Sequence, residues 1–184
     1  MNRNTRTSAL FTLLFLPLFG LLAPSTAAAQ EQEATLGAVL GYEFELEAPL
    51  VGIDARYIHG ISDLIGLGVQ LQGNYFFTDS FEFLGATVRT TLLQFDLNLL
   101  AEMRFEGVLR PYVGAGPALL HARTRATSGN NNTFASSETT DMGFNVVLGT
   151  SFVLDQVRPF VQVRATAQEE TYLSAMVGAS FVLY

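Results

Sequence analysis

The sequence predicts an all-β fold: an eight-stranded antiparallel up-and-down barrel that crosses a lipid bilayer, preceded by an N-terminal signal peptide. Three observations predict it. Apolar and polar residues alternate with a period of two through eight segments. Beyond the N-terminal leader, no apolar run is long enough for a transmembrane helix. The mid-segment charges fall on the parity opposite the apolar residues, so each segment has one face for lipid and one for a polar interior.

The leader comes first in the chain. Arg3 and Arg6 precede an apolar run from Ala9 to Leu22, and small residues then end in "AAAQ". This is the layout of a secretory signal peptide cleaved after Ala29, with an uncleaved N-terminal anchor as the alternative. The expected division is therefore 1–29 signal peptide and 30–184 barrel domain. The chain has no cysteine, which excludes a disulfide framework and a lipid-modified cysteine. All basic residues are arginine and the formal net charge is −7. An acidic exported chain without a basic patch is not a nucleic-acid binder.

The clearest strand is "TLLQFDLNLLAEMRF", Thr91 to Phe105. Leu93, Phe95, Leu97, Leu99, Ala101, Met103 and Phe105 share one parity, Gln94, Asp96, Asn98, Glu102 and Arg104 the other, and Leu100 is the exception. A helix would scatter those charges among the leucines. The same alternation marks Leu36–Leu46, Val51–His59 and Leu64–Phe77 before it, and Tyr112–Ala122, Met142–Val153, Phe160–Ala167 and Tyr172–Tyr184 after it. Short links, "GISD", "EGVLR" and "LDQVR", follow the second, fourth and sixth strands. Longer polar links follow the third and fifth, the longest being "RTRATSGNNNTFASSETTD". Within it, Ser128 to Glu138 is expected to form a mobile external loop. Short links on one rim and long ones on the other match bacterial outer-membrane barrels, whose short turns face the periplasm. The alternative is a water-soluble exported barrel or sandwich with the apolar parity inward. Charges at mid-strand opposite the apolar set oppose it.

An interior this narrow is filled by side chains. The expected lumen charge network is Glu43, Glu45, Asp54, Asp96 and Glu102 against Arg56, Arg104, Arg158 and Arg164, paired because an isolated buried ion is costly. Two near-copies, "RPYV" (Arg110–Val113) and "RPFV" (Arg158–Val161), each open a strand, where a proline is tolerated. Arg110 with Tyr112, and Arg158 with Phe160, are expected to narrow the periplasmic mouth. Pro117 falls inside a strand, and a bulge is expected there.

The stretches "RPYVGAGPAL", "RPFVQVR" and the C-terminal "AMVGASFVLY" resemble the small bacterial outer-membrane β-barrel family that includes OmpA, OmpX and OmpW. The resemblance covers the mature chain and implies residence in the bacterial outer membrane. It also implies that the terminal aromatic, Tyr184, resembles the signal read by the barrel-assembly machinery, although the usual residue is phenylalanine. Whether Val182 with Tyr184 or Phe181 with Leu183 faces lipid stays open from the residues alone.

No metal, cofactor or catalytic motif appears. His59 and His121 fall near opposite rims; "HGIS" (His59–Ser62) lies on the short-turn rim, "TDS" (Thr78–Ser80) on the loop rim a membrane's thickness away, and His121 has no serine two residues on. Three functions are carried forward. The first is a structural, envelope-stabilising protein with a plugged lumen whose loops meet an extracellular ligand. The second is a narrow channel for small apolar solutes, and the third a lipid A-modifying enzyme. The expected partners are outer-membrane lipid, lipopolysaccharide and the assembly machinery, with the barrel a monomer.

Overall fold

The computed structural model describes residues 32–78, 80–83, 86–128 and 133–183. The described residues form nine strands: β1 (Gln32–Glu43), β2 (Ala48–Gly60), β3 (Ile65–Phe76), β4 (Ser80–Phe83), β5 (Ala86–Met103), β6 (Leu109–Ser128), β7 (Thr133–Phe152), β8 (Val157–Ala167) and β9 (Thr171–Val182). All neighbours are antiparallel in the order β3-β2-β1-β9-β8-β7-β6-β5, and β3 pairs back onto β5 to close the ring. The short β4 continues above β3 on the same side of β5, so the wall has eight staves. Closure pairs the backbone groups along the staves, which is the condition for crossing lipid with strands. Among the described residues no helix is long and apolar enough to cross a membrane.

Tight turns join the staves. Residues 61–64, 104–108 and 153–156 form one rim, here the lower rim, and 44–47 and 168–170 lie on the upper rim. Gly107, at φ 124°, occupies a conformation open to glycine, while Glu47 and Asp155 take left-handed values of 50° and 54° within their turns.

The expected long external loop is corrected. Ser128 ends β6, and residues 133–138 belong to β7, so most of that segment is strand. The cause is local: threonine recurs through 124–140, and β-branched residues favour extended pairing even where both faces are polar. β5, β6 and β7 therefore run 18, 20 and 20 residues, against 11 to 13 for β1, β2, β3, β8 and β9. With β4 they raise one side of the wall well above the rest.

Side-chain direction follows the alternation. Leu99 is 70 % exposed and Ile53 66 %, whereas Asp54 is fully buried and Asp96 is 3 % exposed. In the last strand Phe181 and Leu183 face outward and Ser180 inward, which fixes the parity left open by the sequence. Leu100, the exception to the alternation, points into the lumen beside Ile58, Tyr112 and Val147. Near the upper rim, Tyr42 with Phe44 and Tyr75 with Phe77 form edge-to-face pairs on the outside, with centroids 5.6 Å and 5.0 Å apart.

Pro117 produces no bulge. The β5–β6 register is the same on both sides of it, Asp96↔Ala118 and Leu99↔Ala115, and pairing is simply interrupted between them. Pro117 is exposed on the outer face, and at Gly116 the absent Cβ leaves room for the Leu97 carbonyl oxygen. The two strands thus pass closely without shifting step. The register irregularity in β6 lies instead at Ala126/Thr127, against β7.

A braced lumen as the candidate functional site

The two Arg-Pro-aromatic openings converge. At the lower mouth, Arg158 donates from Nε and Nη2 to the two oxygens of Glu33, at 3.0 and 2.9 Å. Arg110 approaches the same carboxylate at 3.5 Å and Glu102 at 3.7 Å, while Arg104 reaches Glu102 at 3.4 Å. Glu33 is thus shared by both repeats. Sequence reading missed it because the first strand was begun at Leu36, yet Glu33 has the inward parity of Glu43.

One step higher, the aromatic residues of the repeats meet a single cation. The Arg56 guanidinium carbon lies 4.5 Å from the Tyr112 ring centroid and 4.1 Å from that of Phe160. Neighbouring glycines make room. Tyr112 is directly opposite Gly149 and Phe160 opposite Gly178, and a Cβ at either glycine would strike the ring. Tyr112 and Phe160 therefore sit inside the barrel, above the mouth formed by Arg110, Arg158 and Glu33.

The middle of the lumen is crossed by hydrogen bonds. β8 stands opposite β3 in the ring, and Gln162 of β8 bridges to both Gln70 and Gln72 of β3, accepting from Gln70 Nε2 at 3.1 Å and donating to Gln72 Oε1 at 3.2 Å. Its Oε1 also accepts from Tyr112 Oη at 3.0 Å. Asp54 is held by Arg56 Nε at 2.7 Å and Gln70 Nε2 at 2.5 Å. Above these, Arg164 donates to Asp96 at 2.6 Å and to Ser174 at 3.0 Å, and Ser174 donates to Glu43. Arg164 and Asp96 side chains are both fully buried. The ionic pairing satisfies charges that water cannot reach.

The lumen is not uniformly polar. Val39, Ala48, Leu50, Phe76, Leu92, Phe160 and Met176 form an interior apolar cluster, with Leu120 and Ala122 against it. Leu50, Phe76, Leu92 and Ala122 follow one another across adjacent staves, so an apolar arc lines the inside toward the upper rim.

Of the residues expected to line the lumen, Glu43, Asp54, Arg56, Asp96, Glu102, Arg104, Arg158 and Arg164 are buried inside the barrel or its mouth. Glu45 is not, because β1 ends at Glu43 and the alternation in sequence continues past the strand into the exposed 44–47 turn. There its carboxylate accepts the Leu173 N–H at 2.6 Å. A hydrogen bond with the Glu43 side chain and then that backbone bond hold Glu45 below the ordinary carboxylate range. Tyr184 lies outside the described residues. Ser62 accepts backbone N–H groups of its own turn, from Leu64 at 3.4 Å and Ile65 at 3.1 Å, and His121 Nδ1 lies 3.0 Å from Thr140 Oγ1. Among the described residues no group of His, Cys, Asp and Glu could hold a metal ion.

A closed ring of eight staves, greasy outside and ion-paired within, defines an integral protein of the bacterial outer membrane. The chain belongs to the outer membrane protein beta-barrel domain family, whose match spans residues 13–167. It has no match among curated proteins. Several solved structures are similar in fold. Ail, the attachment invasion locus protein of Yersinia pestis, is 12 % identical with a TM-score of 0.64, over 84 % of this chain and 99 % of Ail. The N-terminal barrel of Pseudomonas aeruginosa OprF is 18 % identical with a TM-score of 0.55, over 84 % and 98 %. The outer membrane enzyme PagL is 11 % identical with a TM-score of 0.51, over 80 % and 98 %. An attachment invasion locus protein, the barrel domain of OprF and an enzyme thus share this architecture, and identities this low establish the fold alone.

Proposed function

We propose that the protein is a structural and interaction protein of the outer membrane: a barrel with a closed lumen that stabilises the envelope and displays the raised β4–β7 wall to the cell exterior. The observation that carries this reading is the set of buried bonds from Gln162 to Gln70 and Gln72 across the ring. A bore crossed by fixed side chains at its middle, with ion pairs both below and above them and apolar residues lining its upper part, supports a lumen closed to ions. The leader 1–29 is removed on export, and the barrel acts as a monomer among outer-membrane lipid and lipopolysaccharide. Tyr184 serves the assembly machinery, and the raised wall is where an extracellular ligand binds. No catalytic role is assigned: Ser62 is engaged in its turn and His121 faces outward with Thr140, so neither completes a nucleophilic set.

Single-channel recording in planar bilayers tests the closed lumen. The folded barrel is expected to give no resolved conductance steps. Regular ohmic steps that persist after removal of contaminating porins overturn it. One observation favours a second reading, passage of small apolar solutes, namely the interior arc of Leu50, Phe76 and Leu92. Uptake of an apolar dye into proteoliposomes, faster than into protein-free vesicles, supports that reading over the first.

A further inference from the structure

Apart from Arg3 and Arg6, the arginines fall into two groups. Arg56, Arg104, Arg110, Arg158 and Arg164 line the lumen and its lower mouth. Arg89, Arg123 and Arg125 stand together on the raised wall. The β5–β6 register runs unbroken from Arg89↔Arg125 through Thr91↔Arg123 and Leu93↔His121 to Phe95↔Leu119, so parity puts all three on the same outer face as lipid-facing Phe95. Leu93 pairs with Tyr75 at the level of the upper aromatic belt. At ~3.3 Å per residue and a tilt of ~40°, Arg123 stands about 5 Å above that belt, and Arg89 with Arg125 about 10 Å above it. That is the headgroup layer of the adjoining leaflet.

Two carboxylates share this outer face with the three arginines, Glu138 opposite Arg123 and Glu82 opposite Thr87, so the cations are in excess. Arg123 Nε has Glu138 at 3.0 Å, whereas Arg89 and Arg125 are exposed and directly opposite one another. Like charges facing across a strand pair are unfavourable unless an anion lies between them. Paired guanidinium forks fit phosphate oxygens.

We propose that Arg89, Arg125 and Arg123 bind the phosphate groups of lipid A in the outer leaflet. The site adjoins the lipid-facing wall without a step, so a ligand that presents phosphate on an acyl anchor fills both parts. This rests on the reading that the raised wall faces the cell exterior. Labelling of Ser136→Cys in intact cells reports that orientation separately from binding.

The test is native mass spectrometry of the folded full-length protein in neutral detergent, titrated with bisphosphorylated lipid A, dephosphorylated lipid A and phosphatidylcholine. The bisphosphorylated form is expected to bind at least about ten-fold more tightly than the others, and R89Q/R125Q to remove about ten-fold of that preference. Glu138→Gln releases Arg123 and is expected to raise retention. It alters only an exposed charge, so it keeps the test decisive if the double variant folds poorly. Equal retention of phosphorylated and dephosphorylated lipid overturns the proposal. So does retention unchanged in both R89Q/R125Q and Glu138→Gln, or binding of a soluble polysulfated sugar as tight as that of lipid A.

Discussion

The Arg56 guanidinium carbon lies 4.1 Å from the centre of the Phe160 ring, and the ring in turn covers Gly178 on the next strand. Tyr112 repeats the arrangement from the other side of the same cation, at 4.5 Å and over Gly149. This explains the doubled Arg-Pro-aromatic-Val. Each arginine reaches Glu33, each proline opens a stave, each aromatic flanks Arg56 and shields a glycine, and each valine faces lipid.

Removing the ring should therefore cost more than removing its polar tip. Phe160→Ala leaves a cavity beside Gly178 and exposes one face of Arg56, with an expected loss of about 3–5 kcal/mol. Tyr112→Phe keeps the ring and deletes the hydroxyl that donates to Gln162 beside Arg56, with an expected loss of about 1 kcal/mol. Urea titrations of the barrel refolded in vesicles compare the two, and equal losses would contradict the clamp.

Much of this fold was legible in sequence because a two-sided environment imposes a strict period of two. At Thr91–Phe105 the alternation marks which residue sees lipid and which sees the lumen. Leu100 breaks the pattern because part of the lumen is apolar, a demand that hydropathy alone does not reveal. The raised wall was illegible for a related reason: beyond the hydrocarbon neither face of β7 meets lipid tails, so "SSETTD" loses its alternation while keeping its strand. Glu33 and Glu45 show the same limit at strand ends. Parity assigns a face only where the strand continues, and neither residue carries a mark of where β1 starts or stops.

The buried pair Arg164–Asp96, at 2.6 Å, gives a sharper test of the lumen. Arg164→Met strands a carboxylate where the side chains are fully shielded, with an expected loss of about 3–5 kcal/mol. The double variant Arg164→Met with Asp96→Leu removes both ions and should recover most of it. A double-variant cycle in unfolding free energy measures the coupling, and additive losses would mean the two residues act independently.

Glu45 should confer a pH-dependent increment. Its folded pKa lies below the ordinary carboxylate value, so the unfolded chain takes up a proton first as pH falls. Stabilisation from Glu45 is thus complete above the ordinary range and is lost as pH falls through it toward the folded value. The thermal midpoint of wild type should exceed that of Glu45→Gln by a constant amount down to about pH 5, and the two should converge below it. A difference that persists unchanged in acid would point to shape rather than charge.

The outward set predicts a dependence on depth. Leu99 is 70 % exposed on the outer face of β5, near the middle of an apolar row from Leu93 to Phe105, whereas Thr87 lies on the same parity of the raised wall, six residues beyond Leu93. A cation at Leu99 must leave water for hydrocarbon, and Leu99→Arg is expected to destabilise the barrel by about 2–4 kcal/mol. Thr87→Arg stays in the aqueous layer and should cost about 0–1 kcal/mol by the same measurement in lipid vesicles. In a detergent that solvates the belt poorly the two values should draw together, because the penalty comes from the hydrocarbon and not from packing within the protein. Equal costs in vesicles would place Leu99 against water and reverse the inside and outside of the wall.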